Sequence, residues 1–208
     1  RSTPKPSSAA SDVYKRQVIQ LFKMVELSTP VCEFGQKPHD FTLKGVDGQE
    51  WSLDKCYGSK GILIMFICNH CPYVLAILDK LVVETDVLQT KGIGVVAINP
   101  NDNPSYPDDS FDNMIIISKK YGFGFPYLID ETQQIAKNYG AVCTPDFYGF
   151  NSSRELQYRG RFDDRGSQKS NNPNQSDLFK AMFQISRTGQ GPKNQIPSIG
   201  CSIKWRKE

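Results

Sequence analysis

Ile62-Leu63-Ile64-Met65-Phe66-Ile67-Cys68-Asn69-His70-Cys71-Pro72 decides how this chain is read. An apolar run meets a Cys-x-x-Cys pair, and an amphipathic pattern follows from Tyr73 to Lys91. A continuous apolar run suits a central strand covered on both faces. Val74, Leu78, Leu81, Val82 and Leu88 recur near the helical period, and Lys91-Gly92 provides a terminal cation and a C′ glycine. Two cysteines at a strand-to-helix junction can close a disulfide within one turn. Backbone N–H groups at a helix start favour a thiolate there.

Working outward, Ile93 to Ile98 is a second apolar strand, which completes a right-handed parallel β-α-β unit. Upstream, Pro38–Leu43 and Gln49–Leu53 flank Gly45-Val46-Asp47-Gly48, the signature of a β-hairpin. Downstream, Asn99 to Ser110 is a turn-rich loop with three prolines, and Asp109 or Ser110 can cap a helix running to about Tyr121. A short strand at Phe125–Ile129 and a short helix at Glu131–Tyr139 follow. Asp146–Phe150 and Glu155–Phe162 read as an antiparallel hairpin about the turn Asn151–Arg154. Ser176 caps an amphipathic helix carrying Leu178, Phe179, Met182 and Ile185, and the tail is irregular until Ser198.

The chemistry centres on Cys68 and Cys71, read as a dithiol/disulfide couple with Cys68, at the exposed helix start, the attacking thiolate and Cys71, one turn in, the partially buried resolving thiol. Two inert core cysteines or half a zinc site are the alternatives. A zinc site usually needs a second pair of ligands, and the only histidines are His39 and His70. His70, beside Asn69 inside the motif, would stabilise the Cys68 thiolate as an imidazolium, or is an exposed helix-start residue with no electrostatic role. Thr144-Pro145 lies at a strand start, where a cis bond would bring the Thr144 backbone against Cys68. Cys143 adjoins it and reads as a third redox thiol, as a partner of Cys68, His70 and Cys71 in a soft Cu(I) or Zn site, or as a small buried residue. Cys201 reads either as a thiol that folds back to resolve a sulfenate or as a packed tail residue. Cys32 and Cys56 show no motif. Arg154, Arg159, Arg161 and Arg165 read as a solvated hairpin edge.

With these stretches in view, the chain resembles the thioredoxin-like superfamily, and within it the peroxiredoxin-like proteins related to alkyl hydroperoxide reductase and thiol-specific antioxidant. The resemblance rests on PHDFTLKGVDGQEWSL, ILIMFICNHCPYV, INPNDNPSYPDDS, FPYLIDETQQIAKNYGAVCTPDFYGF, YRGRFDD and SIGCSIKW. It implies an α/β thioredoxin-like fold, a central mixed sheet flanked by helices with an N-terminal β-hairpin. It implies catalytic roles for Cys68, Cys71 and Pro145, supported by His70, Asn69, Thr144 and Cys143. Against the peroxiredoxin motif Thr-x-x-Cys, Cys68 occupies the threonine position and Cys71 the peroxidatic one. The expected activity is thiol–disulfide exchange, with a peroxiredoxin-like thiol peroxidase or a Cu(I)/Zn carrier as alternatives.

Residues 1–23 are rich in Ser, Pro and Ala without periodicity and read as a non-native or disordered leader, with Met24 a credible start. Residues 24–208 read as a single domain with a C-terminal tail. The leader holds five basic groups and one acid, so the formal charge of +3 falls to −1 without it, with 20 basic and 21 acidic groups remaining. That removes the electrostatic case for nucleic acid or an anionic membrane as partner. The expected partners are protein or small-molecule disulfides, hydroperoxides and an external thiol reductant. No cofactor is implied, and the expected compartment is the cytoplasm, where structural disulfides are rare.

Overall fold

The computed structural model describes residues 26–168 and 174–207; the leader expected over 1–23 lies outside the described residues, as does part of the polar loop before Ser176. Among the described residues ten strands and six α-helices follow in order: β1 Glu26–Ser28, β2 Thr42–Gly45, β3 Glu50–Ser52, α1 Leu53–Cys56, β4 Gly61–Phe66, α2 Pro72–Leu75, α3 Leu78–Thr90, β5 Ile93–Asn99, α4 Phe111–Tyr121, β6 Tyr127–Ile129, α5 Gln134–Tyr139, β7 Cys143–Thr144, β8 Asp146–Asn151, β9 Leu156–Tyr158, α6 Asp177–Thr188 and β10 Ile199–Ser202.

The expected N-terminal hairpin is β2–β3, antiparallel with Leu43 opposite Trp51. β6 pairs antiparallel with β2 and parallel with β5. β8 pairs antiparallel with β4 and with β9. β4 lies beside β5, where the Ile67 N–H donates to the Ile98 carbonyl at 3.0 Å. The order β3-β2-β6-β5-β4-β8-β9 makes one mixed sheet flanked by helices.

The apolar run at Ile62–Ile67 is buried on both faces because the strand period of two deals its side chains alternately to two cores. Leu63, Met65 and Ile67 join Val74, Leu78 and Leu81 of α2–α3 and Phe179 and Met182 of α6. Ile62, Ile64 and Phe66 join Leu53 of α1, Tyr139 of α5 and Ile203 of the tail. Full burial of each such side chain contributes about 1.5–3 kcal/mol, so this strand anchors both layers.

A second, three-stranded sheet, β1-β10-β7, sits against the end of β4 where the cysteines emerge. β1 leaves no pattern in the sequence, because its three residues are all exposed. The single helical pattern over Tyr73–Lys91 is two helices, α2 and α3. The ladder breaks at Ala76-Ile77, where the Ile77 N–H bonds Val74 three residues back rather than four. Among the described residues no helix is long and apolar enough to cross a membrane.

Candidate active site

β4 ends at Phe66, and residues 67–71 run on without helical structure. Helix α2 begins only at Pro72, whose missing N–H costs nothing in a first turn, and Cys71 is its N-cap. The expectation that Cys68 opens the helix with Cys71 one turn inside is therefore corrected. Both sulfurs are enclosed, Cys68 being 2% and Cys71 0% exposed.

The two thiols meet at Thr144. Its peptide bond to Pro145 is cis. The Cys68 Sγ lies 3.2 Å from the Thr144 Oγ1, and the Cys71 Sγ lies 3.1 Å from the Thr144 carbonyl oxygen. A third thiol joins them: the Cys71 Sγ is 2.7 Å from the Cys201 Sγ. Cys201 sits on β10 directly opposite Thr144 of β7. Cys143 turns away and places its sulfur 3.8 Å from the Pro145 carbonyl.

Electrostatics separates the thiols. Burial pushes Cys68 well up, and the neighbouring Cys71 and Asp109 push it the same way; only the Thr144 hydroxyl opposes them. Burial also raises Cys71, but the Cys201 and Cys68 thiols and the backbone N–H groups of Val74 and Cys201 all stabilise its thiolate, and the net direction is down. Its contact with Cys71, then burial, raises Cys201. Burial raises Cys143, and it raises Cys32 to about 11 and Cys56 to about 12. The groups that favour a thiolate thus converge on Cys71, whereas the sequence reading placed it on Cys68.

Asn69 and His70 are held by a residue that the sequence reading had considered only as a helix cap. Ser110 caps α4, its Oγ accepting from the Asn113 N–H. Asp109, fully buried, instead turns inward. Its Oδ1 accepts from the Asn69 N–H at 2.7 Å, and its Oδ2 accepts from the Asn101 amide at 2.7 Å and faces the His70 Nδ1 at 2.8 Å. The Asn69 amide donates to the Asp108 carbonyl at 3.0 Å, and Tyr127 donates to the Asn69 Oδ1 at 2.9 Å. His70 also stacks on the Tyr106 ring, with an interplanar angle of 4° and centroids 6.3 Å apart. The hydrogen bond to Asp109 raises the His70 pKa above 6.5 against the opposing effect of burial. The signal for Asp109 in the sequence is weak. It is one acid in a polar loop, though that loop leaves the carboxyl end of β5 beside the motif.

The metal set expected from Cys68, His70, Cys71 and Cys143 is not what the fold assembles. Among the described residues, the cluster able to hold an ion is Cys68, His70 and Asp109, their ligand atoms within 4.8 Å of one another. Nor are the arginines all solvated. Arg159 is buried behind the Pro145 turn, 3.0 Å from the Asp146 carboxylate, over the Tyr148 ring, and donating to the Gly140 carbonyl.

A cleft of about 150 Å³ opens beside Pro145, lined also by Tyr73, Ile77, Phe162 and Ile199. That is below the size of a typical drug-sized ligand site, but it suits one side chain or a small thiol.

An uncharacterized conserved protein from Geobacillus kaustophilus is 38% identical with a TM-score of 0.82, covering 90% of this chain and 100% of its own. A hypothetical protein from Sinorhizobium meliloti 1021 is 36% identical with a TM-score of 0.80, covering 87% and 98%. The peroxidoxin BcpB of Mycobacterium tuberculosis shares the fold at 13% identity and a TM-score of 0.51, covering 60% and 82%. No curated protein matches the chain. The model of the AhpC/TSA family matches residues 34–162, which include the Cys68–Cys71 motif and the Thr144-Pro145 turn. This chain therefore belongs to the AhpC/TSA family and has the thioredoxin-like fold.

Proposed function

We propose that this protein is a thiol–disulfide oxidoreductase working through Cys68 and Cys71. The observation that carries the reading is the meeting of both sulfurs at Thr144, one on its hydroxyl and one on its carbonyl. Family membership and the thiolate bias support it. Contrary to the sequence expectation, the reading gives the attack to Cys71.

The Cys71 thiolate attacks one sulfur of a substrate disulfide, forming a mixed disulfide and expelling the other sulfur as a thiolate. Cys68 then attacks the Cys71 sulfur, its proton passing to the departing substrate sulfur, and a Cys68–Cys71 disulfide results. An external thiol reductant restores the dithiol by two successive exchanges. Asp109 favours the protonated form of His70, which would place positive charge beside this exchange. Both sulfurs are covered, so substrate entry requires local opening around Pro145, where the cleft marks the approach.

One observation favours a second reading. Cys71, at the peroxidatic position of the family motif, is the thiol biased toward thiolate. That is what peroxide attack requires, with a sulfenate as intermediate. The two readings separate in one experiment. Reduction of a small disulfide by the protein with excess dithiol is measured beside hydrogen peroxide consumption, in wild type, Cys68→Ser and Cys71→Ser. The proposal expects disulfide turnover that falls at least about 100-fold in Cys71→Ser, with little peroxide consumption. Saturable peroxide consumption without disulfide turnover would establish the peroxidase instead.

A further inference from the structure

Cys71 and Cys201, 130 residues apart in the chain, meet through their sulfurs. At 2.7 Å their sulfurs are closer than an ordinary non-bonded pair, although wider than the roughly 2.05 Å of a formed disulfide. The fold goes to some length to make this contact. Cys201 lies on the middle strand of the β1-β10-β7 sheet, in register with Thr144. The preceding residue must be glycine: a Cβ on Gly200 would stand 2.1 Å from the Thr144 carbonyl oxygen and 3.0 Å from the Pro145 nitrogen. β10 therefore presses its backbone onto the turn that holds the two motif cysteines. In addition, the Cys201 backbone N–H donates to the Cys71 sulfur. Cys143, also buried on the neighbouring strand, makes no comparable approach.

We infer that Cys201 is a third catalytic thiol, which takes over the Cys71 sulfur from Cys68 in an internal disulfide relay. The inference rests on the dithiol reading above. In the step, the Cys201 sulfur attacks the Cys71 sulfur of the Cys68–Cys71 disulfide. The Cys71–Cys201 bond forms as the Cys68–Cys71 bond breaks, and the Cys201 proton passes to the departing Cys68 sulfur. One disulfide and one thiol stand on each side, so no further oxidant or reductant takes part. The bond moves from neighbours in the motif to a link between the start of α2 and β10. Cys68 is returned to the thiol form while Cys71 remains oxidised. The same geometry lets Cys201 resolve a mixed disulfide on Cys71 directly, expelling the substrate sulfur with its proton.

The test is a disulfide map. Reduced full-length protein is oxidised with limiting diamide, free thiols are alkylated under acid quench, and linked peptides are identified by mass spectrometry in wild type, Cys68→Ser and Cys201→Ser. The relay expects a Cys71–Cys201 peptide in wild type, that same peptide as the main product in Cys68→Ser, and only Cys68–Cys71 in Cys201→Ser. Cys71 remaining alkylatable in Cys68→Ser, with wild type yielding only Cys68–Cys71, would overturn the relay and leave the dithiol reading intact. Absence of Cys68–Cys71 in Cys201→Ser would overturn the dithiol reading itself. The wild-type map depends on no variant's folding, so a Cys68→Ser chain that fails to fold does not shield the relay from refutation.

Discussion

At the scale of single residues, the site is organised as much by Asp109 as by the cysteines. Its carboxylate holds the Asn69 backbone and the His70 ring, so the loop between the thiols has a fixed shape. The His70 pKa is raised above 6.5 by this partner. A group raised on folding stabilises fully below its unfolded value, here about 6.5, and the contribution fades as pH rises through the folded value. Wild type is therefore expected to lose urea stability as pH rises from 6.5 through the folded value. Asp109→Asn keeps an oxygen for the Asn69 N–H but is expected to flatten that slope. An unchanged slope would show that the pair does not govern His70. Arg159 offers a sharper stability test, because Asp146 is wholly enclosed. Arg159→Met leaves that carboxylate unpaired and is expected to cost about 3–5 kcal/mol by denaturant titration. A loss below about 1 kcal/mol would contradict the ion pair's role. The motif cysteines and Thr144-Pro145 were legible in the sequence because their spacing is diagnostic. Asp109 and Arg159 were not. An acid in a turn and an arginine on a hairpin look solvated until a distant partner is known, and theirs are His70 and Asp146.

At the scale of elements, the site is a junction of three short pieces: the end of β4, the N-cap of α2 and the β7–β10 pairing. The strand and the helix pattern were evident from period alone. The break at Ala76-Ile77 was not, since Leu78, Leu81 and Leu88 continue the same apolar face across it. For β10 the sequence indicates only that the irregular tail ends at Ser198, and its partner β1 is three exposed residues with no alternation to detect. What ties β10 to the chemistry is close backbone approach at Gly200, which no local pattern announces. Gly200→Ala is expected to force β10 away from Thr144 at a cost of about 1–3 kcal/mol, typical of overpacking, and to abolish the Cys71–Cys201 peptide while Cys68–Cys71 still forms. An alanine variant with wild-type stability would contradict the tight approach. At the start of α6, the Ser176 hydroxyl accepts from the Phe179 N–H at 2.9 Å, capping the helix. The Ser176 N–H donates to the buried Glu84 at 2.9 Å. Ser176→Ala is expected to lower stability by about 1–2 kcal/mol, read from the thermal midpoint, without altering thiol chemistry.

At the scale of the whole molecule, one mixed sheet with a core on each face delivers the motif to its end, and a second small sheet closes over it. The first of these was readable in the sequence, because burial of β4 on both faces leaves an unbroken apolar run. The second depends on β1 pairing with β10, far away in the sequence, which is a property of the tertiary fold. Together they enclose three sulfurs around one peptide bond, with the thiolate favoured on Cys71. The most direct test traps a small-molecule disulfide on the protein and locates the adduct by mass. Cys68→Ser/Cys201→Ser, which lacks both resolving thiols, is expected to accumulate a mixed disulfide on Cys71, whereas Cys71→Ser accumulates none on Cys68. An adduct on Cys68 in Cys71→Ser, with Cys71 unreacted in the double variant, would contradict the account and return the attack to the first cysteine of the motif.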